Sequence, residues 1–341
     1  MRNEITLQEL ALSLNLSIST VSKSLNDSPE ISVKTKSRVK ELALLKRYIP
    51  NSMAQSLKGK QSKTIGVVIP NIFSKFFSES LHAIENKANE RGFRTIICFS
   101  NDSIDKEAEC IEKLIKSRVD GIILAVSEES QYKKINEHIE KVLSYKIPLV
   151  MLDHLEDTIS CDKVGLNETL LAEEATMNLF NLGYRNVAFL AQNPSTNKAE
   201  SQKQGYLDAI KRKDGKKQIL SFGSSEVCHQ KLHKLIHSEK IDAVIVNKLP
   251  LTIFGTKNCS KSVFSIPENV HVLSLSNLGD KEHLSTAYDA YDRLGEEQGD
   301  IAVDTLLDRI EGVLSEEFVK FELKGRLNCK SNSAQIQKLS I

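Results

Sequence analysis

Leu16-Ser17-Ile18-Ser19-Thr20-Val21-Ser22-Lys23-Ser24-Leu25-Asn26 is the stretch on which the reading turns, followed after one more helical segment by Tyr48-Ile49-Pro50-Asn51-Ser52-Met53-Ala54-Gln55-Ser56-Leu57. Upstream, Ile5, Leu7, Leu10, Ala11 and Leu14 recur at helical spacing and Thr6 is suited to an N-cap, which predicts a helix from Leu7 to Leu14. Asn15 stands where a left-handed residue must turn the chain, a conformation that Asn tolerates. Ser17 then caps a second helix whose Val21 and Leu25 point inward, leaving Ile18, Ser19, Ser22 and Lys23 on the outward face. Two short helices joined in this way predict a helix-turn-helix, in which the N-terminal residues of the second helix meet base edges in the major groove. Ile18 then suits a thymine methyl, Ser19 either base type and Lys23 the acceptors of guanine, while Thr20, Ser22 and Asn26 suit phosphates. The plainer reading is a three-helix unit with a solvated polar face.

The second stretch sharpens the choice. Pro50 can start a helix, yet Asn51 to Leu57 is too short and too polar to hold a helix alone. Met53, Ala54 and Leu57 form a narrow apolar edge that needs a partner surface, and DNA together with a second copy of the chain supplies one. Leu57 then has the character of an apolar wedge in the minor groove, where such side chains kink the duplex. The alternative is a linker turn with an incidental Leu.

With these motifs in place the chain resembles the lactose-repressor-like (LacI/GalR) family of transcription regulators. The resemblance is carried by Thr20-Val21-Ser22-Lys23-x-Leu25-Asn26, by Ile31-Ser32-x-x-Thr35, by Tyr48-x-Pro50-Asn51-x-x-Ala54-x-x-Leu57, and by the run Ile65-Gly66-Val67-Val68-Ile69-Pro70. It implies a homodimer on a pseudo-palindromic operator in double-stranded DNA, with recognition helices in adjacent major grooves and two hinge helices side by side in the central minor groove. The DNA-contacting set is then Thr6, Ser17, Ile18, Ser19, Thr20, Ser22, Lys23, Asn26, Ser32, Thr35, Tyr48, Asn51, Ala54 and Leu57, with Leu57 as the wedge. Lys23 stands where the family usually carries Arg or another polar residue.

The formal net charge of +1 conceals a division. Residues 1–63 hold eleven Lys and Arg against five Asp and Glu, formally +6, and the remaining residues hold 35 against 40, formally −5. A basic head on a mildly acidic body is the footprint of a DNA module carried by something else. No apolar run approaches the length needed to cross a membrane, and the N-terminus leads into an amphipathic helix with Gln8 and Glu9, so a cytoplasmic protein with no membrane partner is expected. Six scattered cysteines without a C-x-x-C pair suggest neither a metal site nor a disulfide framework.

From Thr64 onward strands alternate with helices. Apolar runs at Thr64 to Pro70, Phe93 to Phe99, Gly121 to Val126 and Ile147 to Leu152 are separated by helical stretches near Phe76 to Arg91, Ile104 to Lys116 and Tyr132 to Tyr145. A second set has helices near Glu168 to Leu182, Ala199 to Lys211 and Glu226 to His237, and strands at Val187 to Ala191, Gln218 to Phe222, Ala243 to Val246 and Val270 to Leu275; a last helix lies near Gly299 to Glu311. Such alternation predicts the α/β class, with two doubly wound parallel-sheet lobes beside a small all-α head and a ligand cleft between the lobes. The resemblance implies the same body, of periplasmic-binding-protein type. The expected domains are a helix-turn-helix over 1–49, a hinge and linker over 50–63, and a two-lobed effector-binding and dimerisation body over 64–341. Its first lobe takes about 64–160 with 293–320, its second about 161–292 with 321–330.

The cleft departs from the family. The usual ligand Arg, three residues before a Gly-aromatic pair, falls on Gln202 before Gly205-Tyr206; a usual Asp falls on Lys248 or Leu249; another falls on Ser276. Arg and Asp grip adjacent sugar hydroxyls in bidentate fashion, so their loss argues against a typical hexose effector. The effector-binding candidates are Asn71, Phe73, Phe76, Phe77, Asp153, His154, Gln202, Lys248, Ser276 and Asn277. Phe76 and Phe77 are read either as core or as ligand wall, and Lys248 either as an anion contact or as an exposed strand-end Lys.

No P-loop, dinucleotide fingerprint, Gly-x-Ser-x-Gly or His-Glu-x-x-His is present, so no catalytic residues, cofactor or metal are expected. The expectation is a dimeric operator-binding regulator, a repressor, controlled by an unusual small-molecule effector. Control by a protein partner, binding without an effector, or a solute-binding sensor are the alternatives, the last leaving the basic head unexplained.

Overall fold

The computed structural model describes residues 5–48, 61–155, 158–192, 194–222, 234–236, 238–247, 270–276 and 289–328. The chain divides into two compact units, Met1–Ser62 and Lys63–Ile341.

In the first unit, α1 (Leu7–Leu14), α2 (Ile18–Leu25) and α3 (Val33–Leu45) each begin at a side-chain cap. Thr6 and Glu9 form a reciprocal box: Thr6 Oγ1 accepts from Glu9 N at 3.2 Å, and Glu9 Oε2 accepts from Thr6 N at 2.7 Å. Asn15 is left-handed at φ 52°, which ends α1 and turns the chain toward α2. Leu10, Ala11, Val21, Val39 and Ala43 are buried where the three helices meet, with Leu14, Leu25, Leu42 and Tyr48 packed around them. Each fully buried Leu or Val contributes about 1.5–3 kcal/mol, which is what makes so small a unit hold its turn.

Among the described residues the second unit holds two six-stranded sheets. The first contains β1 (Thr64–Ile69), β2 (Arg94–Phe99), β3 (Gly121–Leu124), β4 (Leu149–Leu152), β5 (Asp162–Leu166) and β11 (Lys320–Leu323), ordered β11-β5-β4-β3-β1-β2 and parallel throughout. The second contains β6 (Val187–Gln192), β7 (Ile219–Phe222), β8 (Ala243–Val246), β9 (His271–Ser274), β10 (Asp289–Asp292) and β12 (Arg326–Asn328), ordered β12-β10-β9-β8-β6-β7, with only β12 antiparallel. Helices α4 (Lys75–Glu90) and α10 (Gly295–Ile310) pack on the first sheet with α5 (Ile104–Lys116) and α7 (Glu137–Ser144) opposite; α8 (Glu168–Asn181) and α9 (Asn197–Arg212) pack on the second. Apolar clusters cover both faces of each sheet, which explains why strands such as Ile65-Gly66-Val67-Val68-Ile69 read as unbroken apolar runs. Among the described residues the chain passes between sheets three times: after Leu166, after Asp292, and between Leu323 and Arg326.

Two expectations change. The second lobe was expected to begin at 161, but β5 lies in the first sheet between β4 and β11, and β11 also falls there instead of in the second lobe. Asp162 and Lys163 disguise β5, yet both are buried because each is satisfied. The Asp162 carboxylate accepts from Arg309 at 2.7 and 3.0 Å and from Val319 N at 2.9 Å, and the Lys163 ammonium donates to Ile159 O at 2.7 Å and Cys161 O at 3.2 Å. The single helix expected over Tyr132 to Tyr145 is two, α6 (Glu128–Lys133) and α7, because Lys134 is left-handed at φ 55° and Asn136 starts the chain anew. The helix expected near Glu226 to His237 lies almost wholly outside the described residues.

The Gly-aromatic pair is structural. A Cβ on Gly205 would stand 2.0 Å from Thr169 O, so only Gly lets α9 lie this close to α8. Tyr206, fully buried, donates to Val187 O at 2.9 Å and accepts from Gln218 N at 3.0 Å, and burial pushes its phenol up to about 12.

Candidate nucleic-acid interface and interlobe cleft

On α2, Val21 and Ser24 are buried, and the exposed side carries Ile18, 45% exposed, with Ser19 and Lys23. Leu25, expected inward, packs against the core; Ser24, which the sequence did not single out, is buried because its hydroxyl donates to Thr20 O at 2.7 Å. Ser17 Oγ accepts from Thr20 N at 3.0 Å and lies 2.8 Å from Thr20 Oγ1; Ser32 Oγ likewise accepts from Thr35 N at 3.2 Å and lies 2.9 Å from Thr35 Oγ1. Asn26 Nδ2 donates to the carbonyl of half-buried Ser22 at 2.8 Å. Lys23 is ion-paired with Glu30. Thr6 is spent on its capping box, and Tyr48 is half-buried against the core, where burial raises its phenol pKa. Asn51, Ala54 and Leu57 lie outside the described residues.

In the body, Asn71 follows β1 and its Oδ1 accepts from Phe73 N at 3.0 Å and Ser74 N at 3.3 Å, a turn that leaves Phe73 90% exposed. Phe76 is 3% exposed and belongs to the first-lobe core; Phe77 packs beside it, ring centroids 5.2 Å apart. His154 lines a cavity of about 160 Å³ with Lys134, Asn136 and Asn197. Ser276 bonds back to Ser274, hydroxyl to hydroxyl at 3.0 Å. Lys248 and Asn277 lie outside the described residues.

Asp153 and Gln202 are brought together by three charged residues that the sequence did not reveal: Glu168, Lys198 and Arg293. Asp153 ends β4 in the left-handed region at φ 58°. Its Oδ1 accepts from Arg293 Nη2 at 2.5 Å and its Oδ2 from Lys198 Nζ at 2.5 Å. Arg293 also reaches both oxygens of Glu168 and the carbonyl of Leu275 at 3.3 Å, with its guanidinium 5.9 Å from the Phe76 ring. Gln202 Nε2 donates to Glu168 Oε2 at 2.6 Å, while its Oε1 is buried with no hydrogen-bond partner among the described residues. Burial opposes the charged form of Asp153, but Arg293 and Lys198 outweigh it and hold the carboxyl below the usual aspartate value. Burial likewise opposes the Arg293 cation, and Asp153 with Glu168 outweighs it, raising its pKa. Among the described residues no group of metal ligands is assembled, and no helix is long and apolar enough to cross a membrane.

Comparison with known proteins accords with this architecture. Residues 6–51 match the model of bacterial regulatory proteins of the lacI family, and residues 62–310 that of periplasmic binding proteins and the sugar binding domain of the LacI family. The HTH-type transcriptional regulator DegA of Bacillus subtilis (strain 168) is 31% identical over 205 residues, which are 60% of this chain and 60% of DegA, so the chain spans about three fifths of that relative. The HTH-type transcriptional repressor PurR of Aliivibrio fischeri (strain ATCC 700601 / ES114) is 24% identical over 345 residues, 96% of this chain and 98% of PurR. The solved lac repressor dimer bound to operator and the anti-inducer ONPF superposes with a TM-score of 0.75 at 20% identity, covering 96% of this chain and 98% of that one, a likeness of fold. A capped helix-turn-helix joined to two parallel-sheet lobes, matched by both models in this order, makes the chain a member of the LacI family of DNA-binding transcription regulators.

Proposed function

We propose that the chain is a cytoplasmic, non-enzymatic repressor that binds a pseudo-palindromic operator as a dimer. The observation that carries this is the recognition helix: capped by Ser17, fixed from behind by Val21 and Ser24, and presenting Ile18, Ser19 and Lys23 outward. Those three read bases; Thr20, Ser22, Asn26, Ser32 and Thr35 hold phosphates; Asn51 and Ala54 belong to the hinge contact and Leu57 is the minor-groove wedge. Domain roles follow as read from the sequence, with the head over 1–49, the hinge and linker over 50–63 and the control body beyond. The body regulates the operator by linkage, since a ligand that prefers one lobe arrangement shifts the protein toward or away from the arrangement that binds DNA. Gln202 and Ser276 stand where sugar-binding relatives carry Arg and Asp, which disfavours a hexose.

Selection of random duplexes on the purified protein tests the reading. The expected product is one inverted repeat with a fixed central step, bound less tightly by Leu57→Ala. Loss of log affinity with log salt is expected to be steep, because bases of the head displace phosphate counterions. Recovery of no palindrome rejects the dimeric operator reading.

A further inference from the structure

The cluster at the lobe junction is built asymmetrically. Lys198 belongs to α9 and Glu168 opens α8, both on the second-lobe side of the crossings; Arg293 stands at a crossing, between β10 of the second sheet and α10 on the first, and Asp153 comes from the end of a first-lobe strand. Each oxygen of the Asp153 carboxylate is held by a different cation, at 2.5 Å from Lys198 and 2.5 Å from Arg293. Bonds to Glu168 and Leu275 O tie the Arg293 guanidinium to the second lobe, so with Asp153 withdrawn Lys198, Arg293 and Glu168 make a cradle of net +1 around the place of a carboxylate. Arg293 is the less replaceable partner, because Glu168, Leu275 O and the Phe76 ring surround its guanidinium and Gln298 Nε2 holds its carbonyl at 2.7 Å. Beside the cradle, Gln202 is 1% exposed and its buried Oε1 lacks a hydrogen-bond donor among the described residues. A buried acceptor left in that state is costly and marks a place for a donor.

We infer that the second-lobe face of the cleft is a binding site for a small organic monocarboxylate bearing a hydroxyl, and that Asp153 occupies it as an internal stand-in. The inference rests on the cleft being the control site of the regulator. The ligand's carboxylate takes the two cations, its hydroxyl donates to Gln202 Oε1, and Asp153 is displaced, which removes the charged tie between the lobes. A carboxylate arriving from solution competes with one that is already tethered, so its apparent affinity is lowered by the fraction of protein in which Asp153 has left.

The test is calorimetric titration of the full chain with sodium lactate, sodium acetate and methylguanidinium chloride, at ionic strength matched with sodium chloride. Asp153→Ala is expected to bind lactate about tenfold or more tightly than the wild type, because the internal competitor is gone. Lactate is expected to outbind acetate, and both to be lost in Asp153→Ala/Lys198→Met. Asp153→Asn, which keeps the side-chain volume, replaces the Ala variant if that one does not fold. Equal lactate affinity in wild type and a folded variant, or binding of methylguanidinium in place of the carboxylates, overturns the inference. Mobility shift with the selected operator is run in parallel. Lactate binding without operator binding leaves the site and removes the repressor reading, and the reverse leaves the repressor and removes the site.

Discussion

Lys23 on the recognition helix is ion-paired with Glu30, seven residues on, across the outward side of the head. Both side chains are largely exposed, at 45% and 65%, so the pair is of the kind worth less than about 1 kcal/mol. On the proposed reading Lys23 leaves Glu30 to reach a base edge, so the pair sets a small cost on DNA binding. Glu30→Gln is expected to tighten operator binding by a factor of about five or less, consistent with that energy. Fluorescence anisotropy on the selected operator measures it, and weaker binding by Glu30→Gln would show that Glu30 does not hold Lys23 back from the DNA.

Ser17 and Ser19 stand two residues apart with different duties, and their alanine variants separate the duties. Ser17 Oγ accepts from Thr20 N, so Ser17→Ala removes a cap and is expected to cost about 1 kcal/mol of head stability. Its effect on DNA should be the same for every sequence. Ser19 is exposed, and Ser19→Ala is expected to leave the melting temperature in place while relaxing base preference at one position of each half-site. A Ser19→Ala protein with an unaltered sequence logo would remove Ser19 from the reading set.

What the sequence revealed and what it hid follow from the range of the interactions. The head was legible because its signals are local: Thr6 caps three residues ahead, Asn15 turns within its own dihedral, and Ser17 caps Thr20. The strand at β5 was hidden because its charged start is made tolerable by Arg309, 147 positions later. The cleft was legible only in part. Asp153 and Gln202 drew notice as a strand-end acid and a motif position, whereas Arg293 acquires meaning only from Asp153 and Glu168, 140 and 125 positions away. No spacing rule reaches that far, and Phe76 could be assigned to the core only once its neighbours were known.

The tie between lobes should respond to acid with a definite sign. Asp153 is held below the usual aspartate value of about 3.9, with Arg293 and Lys198 outweighing the burial that opposes its charge. A carboxyl depressed in the folded state stabilises fully above its unfolded value and loses that contribution as pH falls through the folded value. The melting temperature of the wild type should therefore exceed that of Asp153→Asn by a constant margin from pH 7 down to about 5, narrowing below about 4. A margin that instead grows on acidification would mean that Asp153 is not the ionised partner of Lys198 and Arg293.

Arg309 offers the sharpest test of what makes the charged start of β5 tolerable. Asp162 is 1% exposed and β5 is an interior strand, so its carboxylate has no water to fall back on when its cation is removed. Arg309 supplies two bonds to that carboxylate and also donates to Ser315 O and Glu317 O, tying the end of α10 to the segment that leads into β11. Among the described residues Arg309→Ala leaves a buried charge held only by Val319 N, and the expected loss is about 3–5 kcal/mol. Asp162→Asn in the same background removes the charge and should recover part of the loss. Thermal unfolding of the single and double variants measures both effects. Were Arg309→Ala to unfold like the wild type, Asp162 would be shown not to need Arg309 for its burial, having taken up a proton or admitted water into the space vacated.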